Sequence, residues 1–91
     1  MFINITKSAD AGLLAIADYL AQDDFDEAER IVRAIVEAVY SLQNLPNRGR
    51  PGHRRGTREL ALTPLPYVVV YSVKDDAVEI LHIYHGAQDW R

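Results

Sequence analysis

Half of the lysine and arginine residues of this 91-residue chain lie in one short segment, residues 48–58, which reads RGRPGHRRGTR. The segment contains no aspartate or glutamate, and its positive charges are Arg48, Arg50, Arg54, Arg55 and Arg58. A guanidinium group binds phosphate or carboxylate through two parallel hydrogen bonds, which a lysine ammonium group cannot do. Charge runs are also often simple solvated surface. The segment is therefore predicted to be either an anion-recognition arm or a solvated loop.

Two histidines, His82 and His85, lie in and just after the last apolar run. On a strand this spacing points them to opposite faces of the sheet, so we do not expect a shared metal site. Metal-free RNA cleavage requires a base, an acid and a cation for the developing phosphate charge. Arg58 could supply the cation and His85 the acid, but neither Glu59 nor Glu79 is well placed as the base. Packing in the core or at a strand end is the alternative for each histidine.

The charge balance limits the class of protein. The chain has 13 acidic residues against 10 lysines and arginines, a formal net charge of −3. Since half of the positive charge is in one segment, the rest of the chain is strongly acidic, unlike a general nucleic-acid-binding protein. With 48% hydrophobic and 25% charged residues, the composition is that of one globular domain, residues 1–91.

The residue types also exclude several kinds of site. The chain has no cysteine, which excludes a disulfide framework, an iron–sulfur cluster and a cysteine zinc site. No P-loop or other nucleotide motif is present, so we expect neither a cofactor nor a metal. The sequence shows no pattern of a signal peptide or a membrane span, and a cytoplasmic location without membrane partners is expected.

The first half of the chain predicts two amphipathic helices. Apolar residues recur at positions i, i+3, i+4 and i+7 from Leu13, which predicts a helix over 9–21 after an N-cap at Ser8. A second stripe predicts a helix over 25–44, with a capping box at Asp24 and an end before the following proline. The short connection between the helices predicts an antiparallel hairpin.

Four strands are predicted around these helices, at residues 2–6, 57–62, 67–73 and 78–84. The run 67–73, YVVVYSV, is apolar on both faces and is therefore predicted to be central. Short connections favour antiparallel pairing. The order β-α-α-β-β-β predicts an α+β fold in which a helical hairpin packs on one face of a small, mainly antiparallel sheet.

Several segments of the chain form a recognisable pattern when they are taken together with this order of elements. They are GRPG, REL, PYVVVYSV, VEILHIYH and the final GAQDW. In these segments the chain resembles the RelE/ParE superfamily of toxins from type II toxin–antitoxin systems. The resemblance implies a hetero-oligomeric complex with a cognate antitoxin, whose flexible segment folds around the hairpin and the sheet. If that segment is acidic, the arginines of residues 48–58 would be its electrostatic partner.

The superfamily contains two activities on one fold, so the fold does not choose between them. RelE-like members cut mRNA in the ribosome and typically carry an arginine in a strand pattern like YRLVY. Here Val68 stands where that arginine would fall, and His85 matches a terminal histidine but is followed by Gly86. The negative net charge also differs from that of many RelE-like nucleases. The chain therefore resembles more closely the ParE branch, whose members act on DNA gyrase.

The resemblance leaves three functions open. The preferred one is a non-catalytic gyrase inhibitor that contacts its target through the arginine-rich segment and the residues from His85 to Trp90. The alternative is a ribosome-dependent mRNA endonuclease with Arg58 and His85 as its remnant site, assisted by His82 or Arg50. The third is a degenerate toxin that binds only its antitoxin and DNA.

Overall fold

The computed structural model describes residues 1–88. Its elements are β1 (Phe2–Ile5), α1 (Lys7–Ala21), α2 (Phe25–Ser41), β2 (Arg50–Pro51), β3 (Arg58–Ala61), β4 (Tyr67–Lys74) and β5 (Ala77–His85). The predicted α+β fold with a helical hairpin on a small sheet is confirmed. One strand was not predicted, since β2 lies inside the arginine-rich segment.

The five strands form one mixed sheet in the order β1-β5-β4-β3-β2. β1 pairs with β5 in parallel, and every other pairing in this sheet is antiparallel. β4 lies at the centre, as its apolar sequence predicted. The register of β4 on β5 shifts between Val70 and Tyr71, where the ladder contains a bulge or irregularity.

A side chain caps the N-terminus of each helix. Helix α1 begins after Thr6, not Ser8, because the Thr6 hydroxyl accepts from the Ala9 amide at 3.2 Å. The same hydroxyl donates to the Ile80 carbonyl at 2.7 Å, which ties the cap to β5. Asp24 caps α2 as predicted, with 3.1 Å between its Oδ1 and the Glu27 amide.

The two helices cover one face of the sheet and form the hydrophobic core with it. The core residues include Ile16 from α1, Ile35 and Val39 from α2, and Val69 and Ile80 from the sheet. Helix α1 crosses β5 most closely at Gly12, where an added Cβ atom would collide with the carbonyl oxygen of Ile83. A glycine is needed at this position because only the absence of a side chain allows the helix to approach the strand so closely.

Neither of the two described helices covers the opposite face of the sheet, yet this face contains buried residues. Glu59 and His82 are both paired with Val70, so the three side chains lie on this face. Val70 has no exposed surface and Glu59 has 4%. Arg54 and Thr57, from the connection between β2 and β3, line a small cavity with His82. This connection therefore lies against the face.

Within residues 1–88, neither helix is long and apolar enough to cross a membrane.

Candidate functional site

The arginine-rich segment is a β-hairpin, and we refer to residues 48–58 as the arginine hairpin. Its two arms are β2 and the start of β3, which pair in antiparallel register. At the tip, the Gly52 amide donates to the Thr57 carbonyl at 2.7 Å, and the Thr57 hydroxyl donates to the Arg54 carbonyl at 2.6 Å. Gly56 has a φ angle of +80°, which favours glycine. The segment is thus an ordered hairpin, not an unstructured loop.

A buried carboxylate holds the tip of the arginine hairpin in place. Glu59 accepts hydrogen bonds from Arg50 Nη2 at 3.3 Å and from the His53 amide at 3.1 Å. These contacts offset the desolvation cost of burying a charge. From the sequence, Glu59 was considered only as a base, and this structural role was not predicted. The signal was present, because Glu59 is the only acidic residue between positions 38 and 74 and it lies next to the arginines.

Arg58 and Tyr71 join the other end of the arginine hairpin to the segment that follows α2. Arg58 Nη1 donates to the Gly49 carbonyl at 2.6 Å. The Tyr71 hydroxyl donates to the Pro46 carbonyl and accepts from the Gly49 amide, both at 2.8 Å. One nitrogen of the Arg58 guanidinium therefore contacts the backbone of its own chain.

The other arginines of the hairpin differ in how they contact the fold. Arg48 Nη1 donates to the Ser41 hydroxyl at 2.8 Å, near the end of α2. Arg50 pairs with the buried carboxylate, although 75% of its own side chain is exposed. Arg54 and Arg55 are exposed at the tip. Arg48 and Arg50 are exposed as well, so the cations along the whole arginine hairpin are accessible to a partner molecule.

His85 lies beside the start of β4 and Arg58 beside its middle, on opposite sides of the strand, so the structure does not bring the proposed nuclease residues together. His85 is paired with Tyr67, and Arg58 is paired with Tyr71. These positions are separated by about 13 Å at the usual rise of a strand. His82 lies on the other face of the sheet, which confirms that the two histidines point to opposite sides.

A groove of about 680 Å³ opens between α1 and the helix-facing side of the sheet. Its lining includes Ile16, Tyr19 and Leu20 of α1 and Tyr67, Ile83 and His85 of the sheet. The rings of Tyr67 and His85 meet edge to face, with centroids 5.5 Å apart. Burial raises the pKa of Tyr67, with smaller contributions from Glu27 and Tyr19. The groove is largely apolar and can receive apolar side chains of a partner.

The end of β5 is closed by a turn that fixes the imidazole of His85. The His85 amide donates to Gln88 Oε1, and His85 Nδ1 accepts from the Ala87 amide, both at 3.0 Å. A ring nitrogen that accepts a hydrogen bond carries no proton, so the proton of the neutral imidazole lies on Nε2. Trp90, expected either to cover a sheet edge or to contact a target or the antitoxin, lies outside the described residues.

The fold is that of known toxins. The chromosomal ParDE toxin–antitoxin system from P. aeruginosa contains a chain that superposes with a TM-score of 0.85 and 35% identity, over 93% of this chain and 95% of that one. The toxin–antitoxin complex RelBE2 from Mycobacterium tuberculosis gives a TM-score of 0.70 at 24% identity, over 92% and 95%. The architecture is therefore that of the RelE/ParE superfamily.

The sequence comparisons identify the family. The model of the ParE toxin of type II toxin–antitoxin systems matches residues 3–90, and the chain belongs to this family. The protein Y4kP of Sinorhizobium fredii is 44% identical over 75 residues, which are 82% of this chain and 77% of that protein. Toxin RelE2 of Caulobacter vibrioides is 40% identical over 83 residues, 91% and 92% of the two chains. Similar proteins thus carry names from both branches.

Proposed function

We propose that this toxin acts on DNA gyrase by protein–protein contact, without catalysis, and that a cognate antitoxin neutralises it in the cytoplasm. The observation that carries the proposal is the separation of Arg58 from His85 along β4. A nuclease must assemble an acid, a base and a cation around one phosphate. Arg58 is instead bonded to the Gly49 carbonyl, and it pairs with Tyr71, whereas His85 pairs with Tyr67.

A residue of the central strand supports the same proposal. Val68, on β4, occupies the position at which the nuclease pattern carries an arginine, and it is half-buried between Ala61 and Tyr84. An isopropyl side chain offers no hydrogen bond and no charge to a phosphate group. Valine at this position therefore favours a surface that packs against protein over one that binds RNA.

The antitoxin is the second part of the proposal. Similar solved structures are a toxin–antitoxin system and a toxin–antitoxin complex. Two surfaces of this chain suit such a partner. The groove beside α1 would receive apolar side chains, and the tip of the arginine hairpin would bind carboxylates through charge-assisted hydrogen bonds. The resulting complex would be hetero-oligomeric, and antitoxin at the tip would also block access of the target to Arg54 and Arg55.

One observation keeps an mRNA endonuclease as a second candidate. Glu59 and His82 flank Val70 on the face of the sheet opposite the helices, and Arg50 is paired with Glu59. A carboxylate, an imidazole and a guanidinium therefore share one face, which the sequence pattern did not predict. Both oxygens of the carboxylate already accept hydrogen bonds, however, and this occupation disfavours its use as a base.

A supercoiling assay tests the proposal. Purified toxin, separated from its antitoxin, is added to gyrase and relaxed plasmid DNA. We expect inhibition of supercoiling that depends on toxin concentration and is reversed by the cognate antitoxin. Full supercoiling activity at a large excess of folded toxin would contradict the gyrase proposal. If the toxin also lacks effect on translation, the result would indicate a degenerate toxin that binds its antitoxin alone.

A further inference from the structure

A small polar cavity of about 260 Å³ lies where the connection from β2 to β3 meets β5 and the start of α1. Its lining residues are Thr6, Ser8, Arg54, Thr57, Leu81 and His82. Five of these six side chains are polar, and none of the described residues that line the cavity is acidic. The cavity therefore differs in character from the apolar groove beside α1.

Hydrogen bonds within the fold hold the walls of this cavity in place. On one side, the hydroxyl and the amide of Thr57 both donate to the Arg54 carbonyl, at 2.6 and 3.2 Å, and close a tight turn. On the other side, the Thr6 hydroxyl donates to the Ile80 carbonyl at 2.7 Å and lies 3.3 Å from the Leu81 carbonyl. The cavity is therefore formed by ordered backbone on both sides.

A bulge in β5 turns His82 toward the cavity. Leu81 is an extra residue in the ladder, because neighbouring residues of β4 pair with Ile80 and His82. Ile80 and Ile83 both belong to the core on the helix side of the sheet, so the extra residue is what places His82 on the opposite face. Bulges commonly redirect a side chain in this way, and they are frequent beside functional sites.

Three groups that can donate hydrogen bonds reach the cavity from three parts of the chain. They are the Arg54 guanidinium, the His82 imidazole and the Ser8 hydroxyl. The hydroxyls of Thr6 and Thr57 already donate to carbonyls. Arg54 and His82 also make contacts within the fold, but a guanidinium carries five N–H groups and can serve a ligand as well. The cavity thus offers donors and positive charge to an anion.

We propose that this cavity is a binding site for a phosphate group. A carboxylate is planar and needs only the two parallel bonds of one guanidinium, whereas donors on several sides suit a tetrahedral anion. Glu59 shares this face of the sheet, but Arg50 and the His53 amide engage its two oxygens and compensate its charge. Pockets that enclose drug-sized ligands measure about 300–1,000 Å³, so this cavity would hold the phosphate group and not an attached base. Such a site goes beyond the proposed function and does not depend on the target of the toxin.

The test is an NMR titration of isotope-labelled toxin with sodium phosphate at constant ionic strength. Arg54 lines the cavity and the next residue, Arg55, does not, so Arg54→Gln and Arg55→Gln are a matched pair of exposed positions. We expect saturable shifts at Ser8, Thr57 and His82, with an affinity about tenfold lower in Arg54→Gln. Arg55→Gln should change the affinity less than about twofold, because its exposed charge is screened. Equal losses in the two variants, or no saturable shifts in the wild type, would overturn the inference.

A second variant, Ser8→Asp, separates phosphate binding from folding. An acidic side chain in the first turn of a helix is favourable, so we expect this variant to be at least as stable as the wild type in urea. The same carboxylate would repel a phosphate group in the cavity, and the phosphate-induced shifts at Thr57 and His82 should be lost. Phosphate affinity at the wild-type level in folded Ser8→Asp would overturn the inference. Acetate is the control ligand, and acetate binding as tight as that of phosphate would also overturn it.

A short DNA duplex distinguishes two sources of the phosphate group, a free ion and a nucleic-acid backbone. If Arg54→Gln weakens duplex binding more than Arg55→Gln does, and free phosphate competes with the duplex, the backbone is the ligand. If the duplex does not bind, or if both variants weaken its binding equally while phosphate binding still depends on Arg54, the ligand is free phosphate. Both results support the site. These assays contain neither gyrase nor antitoxin, so their outcome is separate from that of the proposed function.

Discussion

Glu59 and Arg50 form an ion pair with very unequal exposure: the carboxylate is 4% exposed and the guanidinium side chain 75%, at a distance of 3.3 Å. The pair joins β2 to β3, and the same carboxylate accepts from the His53 amide. Because a buried carboxylate requires such partners, Glu59 fixes the shape of the arginine hairpin. The positive charges at the tip are therefore presented by an ordered structure.

Removal of this carboxylate should loosen the hairpin. In Glu59→Ala the His53 amide loses its acceptor, and we expect a loss of about 1 to 3 kcal/mol in the free energy of unfolding. Glu59→Gln keeps an acceptor oxygen and should lose less. Urea denaturation measures the stability, and hydrogen exchange measures protection of the His53 amide.

The control is Glu79→Ala, which breaks a more exposed pair with Lys74 at 3.7 Å. Exposed ion pairs contribute less than about 1 kcal/mol to the free energy of unfolding. Unchanged exchange of the His53 amide in Glu59→Ala would contradict the anchoring role.

The close approach of α1 to β5 predicts an unusual effect of alanine at Gly12. Inside a helix, alanine normally stabilises the folded protein by about 1 kcal/mol relative to glycine. At this position its Cβ would collide with the Ile83 carbonyl, so Gly12→Ala should destabilise the protein by about 1 to 3 kcal/mol. The reverse change at an exposed helical site, Ala11→Gly, should also destabilise, by about 1 kcal/mol. A Gly12→Ala protein as stable as the wild type would show that the crossing can relax.

The tip of the arginine hairpin should act in binding and not in folding. We expect Arg54→Ala with Arg55→Ala to change the free energy of unfolding by less than about 1 kcal/mol, because contacts of exposed charged side chains are weak, and to weaken both antitoxin binding and gyrase inhibition. Arg33→Ala with Lys74→Ala removes the same charge from other exposed positions and serves as the control. If the tip variant matches the wild type in both binding assays, the hairpin has no part in recognition.

Tyr67 provides a prediction about pH. Its pKa is raised in the folded protein, mainly by burial, so the unfolded chain releases this proton at lower pH than the folded one. The contribution of Tyr67 is therefore fully present below about pH 10, the ordinary tyrosine pKa, and is lost as the pH rises toward the folded pKa. Denaturation at a series of alkaline pH values should show a decline in unfolding free energy that is smaller in Tyr67→Phe. Parallel declines in the two proteins would contradict this assignment.

Local sequence patterns predicted most of the fold, because they report local physics. The apolar stripe of α2 and the doubly apolar β4 gave the correct elements and the correct central strand. The parallel pairing of Phe2–Ile5 with a strand more than 70 residues later is set by packing of the whole chain, which periodicity does not encode. β2 was missed because two residues carry no periodic signal, and it is held by Glu59 from another strand.

The candidate site was less predictable than the fold. Arg58 and His85 were paired by residue type, but their separation depends on the register of β3 and β5 against β4. The groove brings Tyr19, Tyr67 and His85 together from three distant parts of the chain.

The most direct test of the central claim compares the two targets with one preparation of toxin freed from its antitoxin. The toxin is incubated with gyrase and plasmid DNA, and in parallel with ribosomes programmed with a defined mRNA. We predict that supercoiling is inhibited, that gyrase–DNA cleavage complexes accumulate, and that the message stays intact. Cleaved message that disappears in a His85→Ala or His82→Ala variant, with gyrase unaffected, would contradict it.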